Sequence, residues 1–125
     1  MGRNFRNIKA WQHADNLAVS VYSKTKSFPR EELYGITSQL RRASVSAPTN
    51  IAEGANREHE KEYLNFLYVA RGSIAETEYL LHLSRRLGYL NDDEYNKLEN
   101  LRKEAAKTLQ GLITAVKKDA EKITG

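Results

Sequence analysis

The run Leu33-Tyr34-Gly35-Ile36-Thr37-Ser38-Gln39-Leu40-Arg41-Arg42-Ala43-Ser44-Val45-Ser46-Ala47-Pro48-Thr49-Asn50-Ile51-Ala52-Glu53-Gly54 decides the fold. Leu33, Ile36, Leu40, Ala43, Ala47, Ile51 and Gly54 recur at intervals of three and four, the period of one helix face. At 100° per residue, Tyr34, Val45, Pro48 and Ala52 fall on a second face that is almost uncharged. Residues 33–52 hold no carboxylate and only two cations, Arg41 and Arg42. A helix apolar on two faces needs two burials, one in its own core and one against something else. Pro48 removes a backbone hydrogen bond and crowds the preceding turn, a loss of about 3 kcal/mol if uncompensated, so a kink or break is expected near Ser44.

Upstream, Ala10, Ala14, Leu17, Val21 and Phe28 repeat the helical spacing, with Trp11, Ala18 and Tyr22 beside them. This predicts a first helix over 10–27, ended by Phe28-Pro29 because the residue before proline is pushed out of the α region. The decisive run then gives a second helix over 31–55.

Downstream, Glu58, Glu60 and Glu62 suit a helix start. The third helix, over 58–87, carries Tyr63, Phe66, Leu67, Ala70, Ile74, Thr77, Leu81 and Ser84 on one stripe, and stops at Arg85-Arg86-Leu87-Gly88. Leu90-Asn91-Asp92-Asp93-Glu94-Tyr95 is a capping box with a hydrophobic staple, opening a fourth helix over 92–121. Its stripe is Tyr95, Leu98, Leu101, Ala105, Leu109, Leu112, Val116 and Ile123. Four helices with short turns predict an all-α fold, an up-down-up-down antiparallel four-helix bundle in which residues 1–125 form a single domain.

Composition agrees. The 125 residues include only seven Gly and two Pro, leaving few turns. The absence of Cys excludes disulfides, thiolate metal sites and iron–sulfur clusters. No apolar run is long enough to span a bilayer, and the first residues lack the apolar core of a signal peptide, so a cytoplasmic protein is expected.

Catalytic patterns are missing. The residues do not supply the paired Glu-x-x-His turns of a di-iron bundle, a G-x-S-x-G elbow or a phosphate-binding glycine loop. His13, His59 and His82 fall on three different segments, and neither a metal nor a cofactor is expected. Gly54 and Gly72-Ser73 suggest close helix approach. Gln39, Asn50 and Glu53 lie on or beside the most apolar helix, where burial would oblige pairing. They are read with Glu76 as a structural polar network, Glu53 meeting Arg41 or Arg42 of another turn or another subunit, with Glu76 and Glu78 as alternative partners. A catalytic carboxylate is the competing reading of Glu53.

Charge is uneven. The chain is +4 overall, yet residues 1–52 hold eight Lys/Arg against three Asp/Glu. Arg3, Arg6 and Lys9 precede the first acid, Asp15, and form a basic arm with Phe5 and Trp11 close by. Such an arm can meet phosphates while an aromatic ring stacks on a base; alternatively, Phe5 and Trp11 are core anchors and the arm is solvated. Lys103, Lys107, Lys117, Lys118 and Lys122 alternate with acids and read as a solvated face.

The words Phe28-Pro29-x-Glu31-Glu32-x-Tyr34-Gly35-Ile36-Thr37-Ser38-Gln39-Leu40-Arg41-Arg42-Ala43, Val45-Ser46, Pro48 and Asn50-Ile51-Ala52-Glu53-Gly54 resemble the four-helix-bundle family encoded in intervening sequences of bacterial 23S rRNA genes. Ala70-Arg71-Gly72-Ser73 with Glu76, and Leu87-Gly88-Tyr89-Leu90, extend the resemblance. It implies a homopentameric barrel. The chain is also similar to accessory proteins of diversity-generating retroelements, which are basic, pentameric, bind nucleic acid and partner a reverse transcriptase. The expectation is a non-enzymatic oligomer that binds RNA or other nucleic acid through Arg3, Arg6, Lys9, Arg41, Arg42 and Arg57. The alternative is a protein-interaction scaffold or accessory subunit with no direct nucleic-acid role.

Overall fold

A computed structural model describes residues 3–124 of the chain, with side chains through Lys122. Its helices are α1 (Lys9–Thr25), α2 (Ile36–Ala55), α3 (Glu60–Arg86) and α4 (Asp92–Thr124). Short 3-10 turns at Phe5–Asn7 and Arg30–Glu32 precede α1 and α2, and the described residues include no strand. Packing runs in chain order and then closes, with α1 against α2, α2 against α3, α3 against α4, and α4 back against α1. Among the described residues no Cα atoms of the two diagonal pairs come within 8 Å of each other, and side chains of all four helices fill the space between them.

Two of the helix starts differ by more than one residue from the sequence expectation, each for a local reason. The 3-10 turn after Pro29 takes up Arg30–Glu32, and Gly35 adopts a non-helical conformation (φ −110°, ψ −120°), so α2 begins at Ile36 and not at 31. His59 is extended, so α3 begins at Glu60 with Glu60 and Glu62 in its first turn, where the helix dipole favours acids. The turn between α3 and α4 follows the local sequence. Gly88 takes the left-handed conformation at φ +80°, and the N–H groups of Tyr89 and Gly88 donate to the carbonyls of Ser84 and Arg85 at 2.9 and 3.0 Å. Asn91 and Glu94 then exchange side-chain and backbone bonds of 2.8 and 2.9 Å.

α2 is continuous through Pro48, so the break envisaged at Ser44 does not occur. Only one backbone donor is lost there, and Pro48 is buried against its neighbours. The second apolar face of α2 is only half covered. Pro48 is buried and Ala52 partly so, while Val45 is exposed and Tyr34 stands 94% open to solvent.

The core has two parts. One gathers Ala10, Ala14, Ala47, Ile51, Tyr63, Leu67, Leu109 and Ile113 around the α2–α3 turn; the other gathers Leu17, Val21, Phe28, Leu40, Leu81, Leu90 and Leu98 at the opposite end. Ile113 is fully buried although it lies outside the apolar stripe of α4 that the spacing predicts, and the side chain of Ile123 lies outside the described residues. Gly54 has the close approach expected of it, since an added Cβ would lie 2.7 Å from Cβ of Phe66. Gly72 does not: a Cβ there meets nothing within 4 Å, because it points out of the bundle.

Candidate nucleic-acid interface

The basic arm is bound down. Arg3 donates from Nη1 to the backbone oxygens of Ala55 (3.3 Å) and Arg57 (3.1 Å), and from Nη2 to Glu60. Its guanidinium also lies 4.3 Å from the ring centroid of Tyr63. The terminal carbonyls of α2 have no partner within the helix, and a cation there is favoured by the helix dipole. Burial pushes the Tyr63 phenol above its ordinary range, with Arg3 lowering it and Glu60 raising it. Arg3 is thus a structural clamp whose charge Glu60 offsets.

The aromatic residues of the arm follow the core reading. Phe5 and Trp11 meet edge to face with centroids 4.9 Å apart, and both pack with Ile8 against the core. The arm's turn is fixed by Asn4, whose side chain accepts from the Arg6 N–H at 3.1 Å, and by Gln12, which donates to the Arg6 carbonyl at 2.8 Å. That holds the exposed Arg6 over the outer face of Phe5, 4.6 Å from its centroid. Lys9 is exposed, and Arg57 lies over Phe66 at 4.6 Å. None of these three makes an ion pair among the described residues, unlike Arg3.

The six candidate cations therefore divide. Arg3, Arg6, Lys9 and Arg57 gather at the end where α2 turns into α3. Arg41 and Arg42 sit early in α2, toward the other end. Arg41 faces α1, donating Nε to Thr25 Oγ1 at 2.8 Å beneath Tyr22, while Arg42 is exposed.

The polar network read from Gln39, Asn50, Glu53 and Glu76 does not form within one chain. Gln39, Glu53 and Glu76 are exposed, and Glu53 reaches neither Arg41 nor Arg42. These residues occupy the outer half of their helices, not the inner half. Asn50 donates to the Ser46 carbonyl and hydroxyl at 2.8 and 3.1 Å, and Ser46 meets Ser73 of α3 at 2.7 Å.

The buried charges are elsewhere. Arg102 and Glu99 are 9% and 8% exposed and paired, and Arg102 also reaches Glu78 of α3 at 3.3 Å. The Glu99 bond holds the Arg102 guanidinium above its ordinary range against the opposing effect of burial, and the smaller Coulomb pull of Glu99 and Glu78 adds to it. The sequence carried a signal for this, since Arg102 lies four residues after Leu98 and three before Ala105, inside the core stripe.

Two apolar surfaces remain open. Between α1 and α2, shallow depressions sharing Asp15, Ala18 and Val45 expose Val19 (64%) and Tyr22. On the outer side of α3, Val69 and Tyr79 (59%) are exposed on either side of Gly72.

A family model described as "23S rRNA-intervening sequence protein" matches residues 6–111. A crystal structure of a protein of unknown function from the S23 ribosomal protein family of Bacteroides thetaiotaomicron superposes with a TM-score of 0.77. That protein is 26% identical, and the match covers 83% of this chain and 97% of the other. No curated protein matches this chain. Among the described residues, no helix is long and apolar enough to cross a membrane.

Proposed function

The chain belongs to the 23S rRNA-intervening sequence protein family, and we propose that it is a non-enzymatic cytoplasmic oligomer that binds RNA through the basic surface at the α2–α3 end. The observation that carries this reading is the gathering of Arg6, Lys9 and Arg57, without acidic partners, beside the clamped Arg3. Arg3 contributes by holding the arm, not by meeting phosphate.

We take the bundle to be up-down-up-down. Supporting contacts give neighbouring helices opposite senses: Thr25 at the end of α1 meets Arg41 early in α2, Gly54 lies by Phe66 and Ser46 by Ser73 across α2 and α3, and Glu78 late in α3 meets Arg102 early in α4. We take the oligomer to be a homopentameric ring. Two different apolar surfaces, on α1–α2 and on α3, suit a head-to-tail contact, which closes into a ring when the rotation permits. Ring symmetry repeats a sparse basic patch, and avidity then multiplies weak phosphate contacts.

The test is light-scattering mass with and without structured RNA, over a salt series. Five-subunit particles and RNA affinity falling on the order of 10³-fold between 50 and 200 mM salt support the reading. Monomers throughout, or salt-insensitive retention, overturn it. A second reading, a protein-interaction scaffold, draws on the same open α1–α2 surface. Reversing Arg6, Lys9 and Arg57 to Glu separates the two, since a scaffold keeps its protein partner.

A further inference from the structure

At the far end of α2 from the RNA-binding surface lies a cavity of about 240 Å³ between the end of α1 and the start of α2. Three cations line it, Lys26, Arg30 and Arg41, and no carboxylate does. None of the three makes an ion pair among the described residues. We propose that this cavity binds a phosphate monoester of the nucleotide class.

The polar groups are arranged for an anion. Thr25 donates its hydroxyl proton to the Val21 carbonyl at 2.8 Å and accepts from Arg41 Nε at 2.8 Å, while the Tyr22 ring lies 4.8 Å from the guanidinium. Those two contacts fix the Arg41 plane and leave its two terminal nitrogens for a bidentate acceptor, the geometry that phosphate oxygens match. One turn earlier on the same helix face, Thr37 lines the cavity. It is 2% exposed, and its hydroxyl has no hydrogen-bond partner. A buried donor without an acceptor is costly and calls for a ligand or water.

Thr37 also sits in the first turn of α2, whose start is already met by one carboxylate. Only Glu32 approaches, accepting from the Ile36 N–H at 3.5 Å. Phe28, Pro29 and the exposed Leu33 supply an apolar wall on the remaining side. At this volume the cavity suits a phosphoryl group and an attached sugar, and is smaller than the ~300 Å³ at which whole drug-sized ligands begin to fit.

This inference stands apart from the RNA reading, and its source of phosphate is either a free nucleotide or the phosphorylated end of an RNA chain. The experiment titrates the protein with AMP by phosphorus NMR, with adenosine by calorimetry, and with a short RNA carrying a 5′-phosphate or a 5′-hydroxyl as competitor. AMP is expected to bind at least tenfold more tightly than adenosine. Arg41→Gln and the isosteric Thr37→Val should each weaken AMP at least tenfold, and the exposed Lys26→Ala serves if either fails to fold. Reversal of Arg6, Lys9 and Arg57 should leave AMP binding unchanged. Displacement of AMP by the 5′-phosphorylated RNA alone assigns the site to chain ends, and no displacement by either RNA assigns it to free nucleotides; both support a phosphate site. Equal binding of AMP and adenosine, no binding of AMP, equal competition by the two RNAs, or indifference to Arg41→Gln overturns the proposal.

Discussion

Arg3 and Glu60 are 57 positions apart in sequence, and their side chains meet in an ion pair that ties the N-terminal arm across the end of α2. Glu60 is largely buried, and Arg3 also serves two carbonyls and the Tyr63 face. Arg3→Ala is expected to cost about 1–2 kcal/mol, between an exposed ion pair and a charged hydrogen bond. Thermal melting checks the loss. RNA affinity, measured where both proteins are folded, should fall less for Arg3→Ala than for Arg6→Ala with Lys9→Ala.

Arg102 leaves Glu99 without a buried partner when it is removed. Arg102→Met is therefore expected to destabilise by about 3–5 kcal/mol, and Arg102→Met with Glu99→Leu to recover most of that. Urea melts of the two variants provide the comparison. A double variant as unstable as the single would contradict the pairing.

Gly54 and Gly72 should respond in opposite directions to alanine. At Gly54 the new Cβ meets Cβ of Phe66 at 2.7 Å and Cδ1 of Tyr63 at 3.0 Å, so α2 and α3 must separate. Overpacking of this kind costs roughly 1–3 kcal/mol. At Gly72 the space is open, and alanine gains up to about 1 kcal/mol of helix propensity. Denaturation midpoints of the two variants test both signs.

Alkaline pH should weaken the fold through two tyrosines. The Tyr89 hydroxyl donates to Glu32 at 2.8 Å, a bond that raises its pKa, and burial raises that of Tyr63. For an acid whose folded pKa is raised, the stabilisation is present in full below the unfolded value near 10. It is lost as pH climbs through the folded value, because the unfolded chain releases its protons first. Stability measured from pH 8 upward is expected to fall beyond pH 10, with a shallower slope in Tyr89→Phe and Tyr63→Phe.

The open apolar surfaces give the proposed ring its test. Val19→Glu with Val45→Glu on one surface, or Val69→Glu on the other, is expected to reduce the particle to 14.3 kDa with helicity unchanged. Light scattering and circular dichroism on the same samples decide it. Loss of helicity would assign these residues to the fold of the single chain.

What could be read from sequence was the local chemistry. The Asn91–Glu94 box and the Gly88 stop involve residues within a few positions of each other, so pattern and geometry coincide. The inward stripes of α1 and α3 follow from period alone. The apolar rhythm places the start of α2 too early, because it does not register the turn that Pro29 and Gly35 impose. At the candidate site, sequence supplied the cations but not their state. Whether Arg3 is engaged or free depends on Glu60, and whether Glu53 is buried depends on which way α2 is rotated; both are settled by packing between distant segments. Thr37 gave no signal, because an unpaired hydroxyl becomes unusual only once its surroundings are known.

The contact of α4 with α1 brings Ile8 and Ala10 into the same cluster as Val116 and Ala120. The start of α1 and the end of α4 are therefore neighbours, and the packing closes a circuit. A short linker across that junction, with new termini opened between α2 and α3, should yield a circularly permuted protein that keeps every helix pairing. Its severed segment would be the one that Arg3 now bridges, making that clamp a noncovalent substitute for the missing bond.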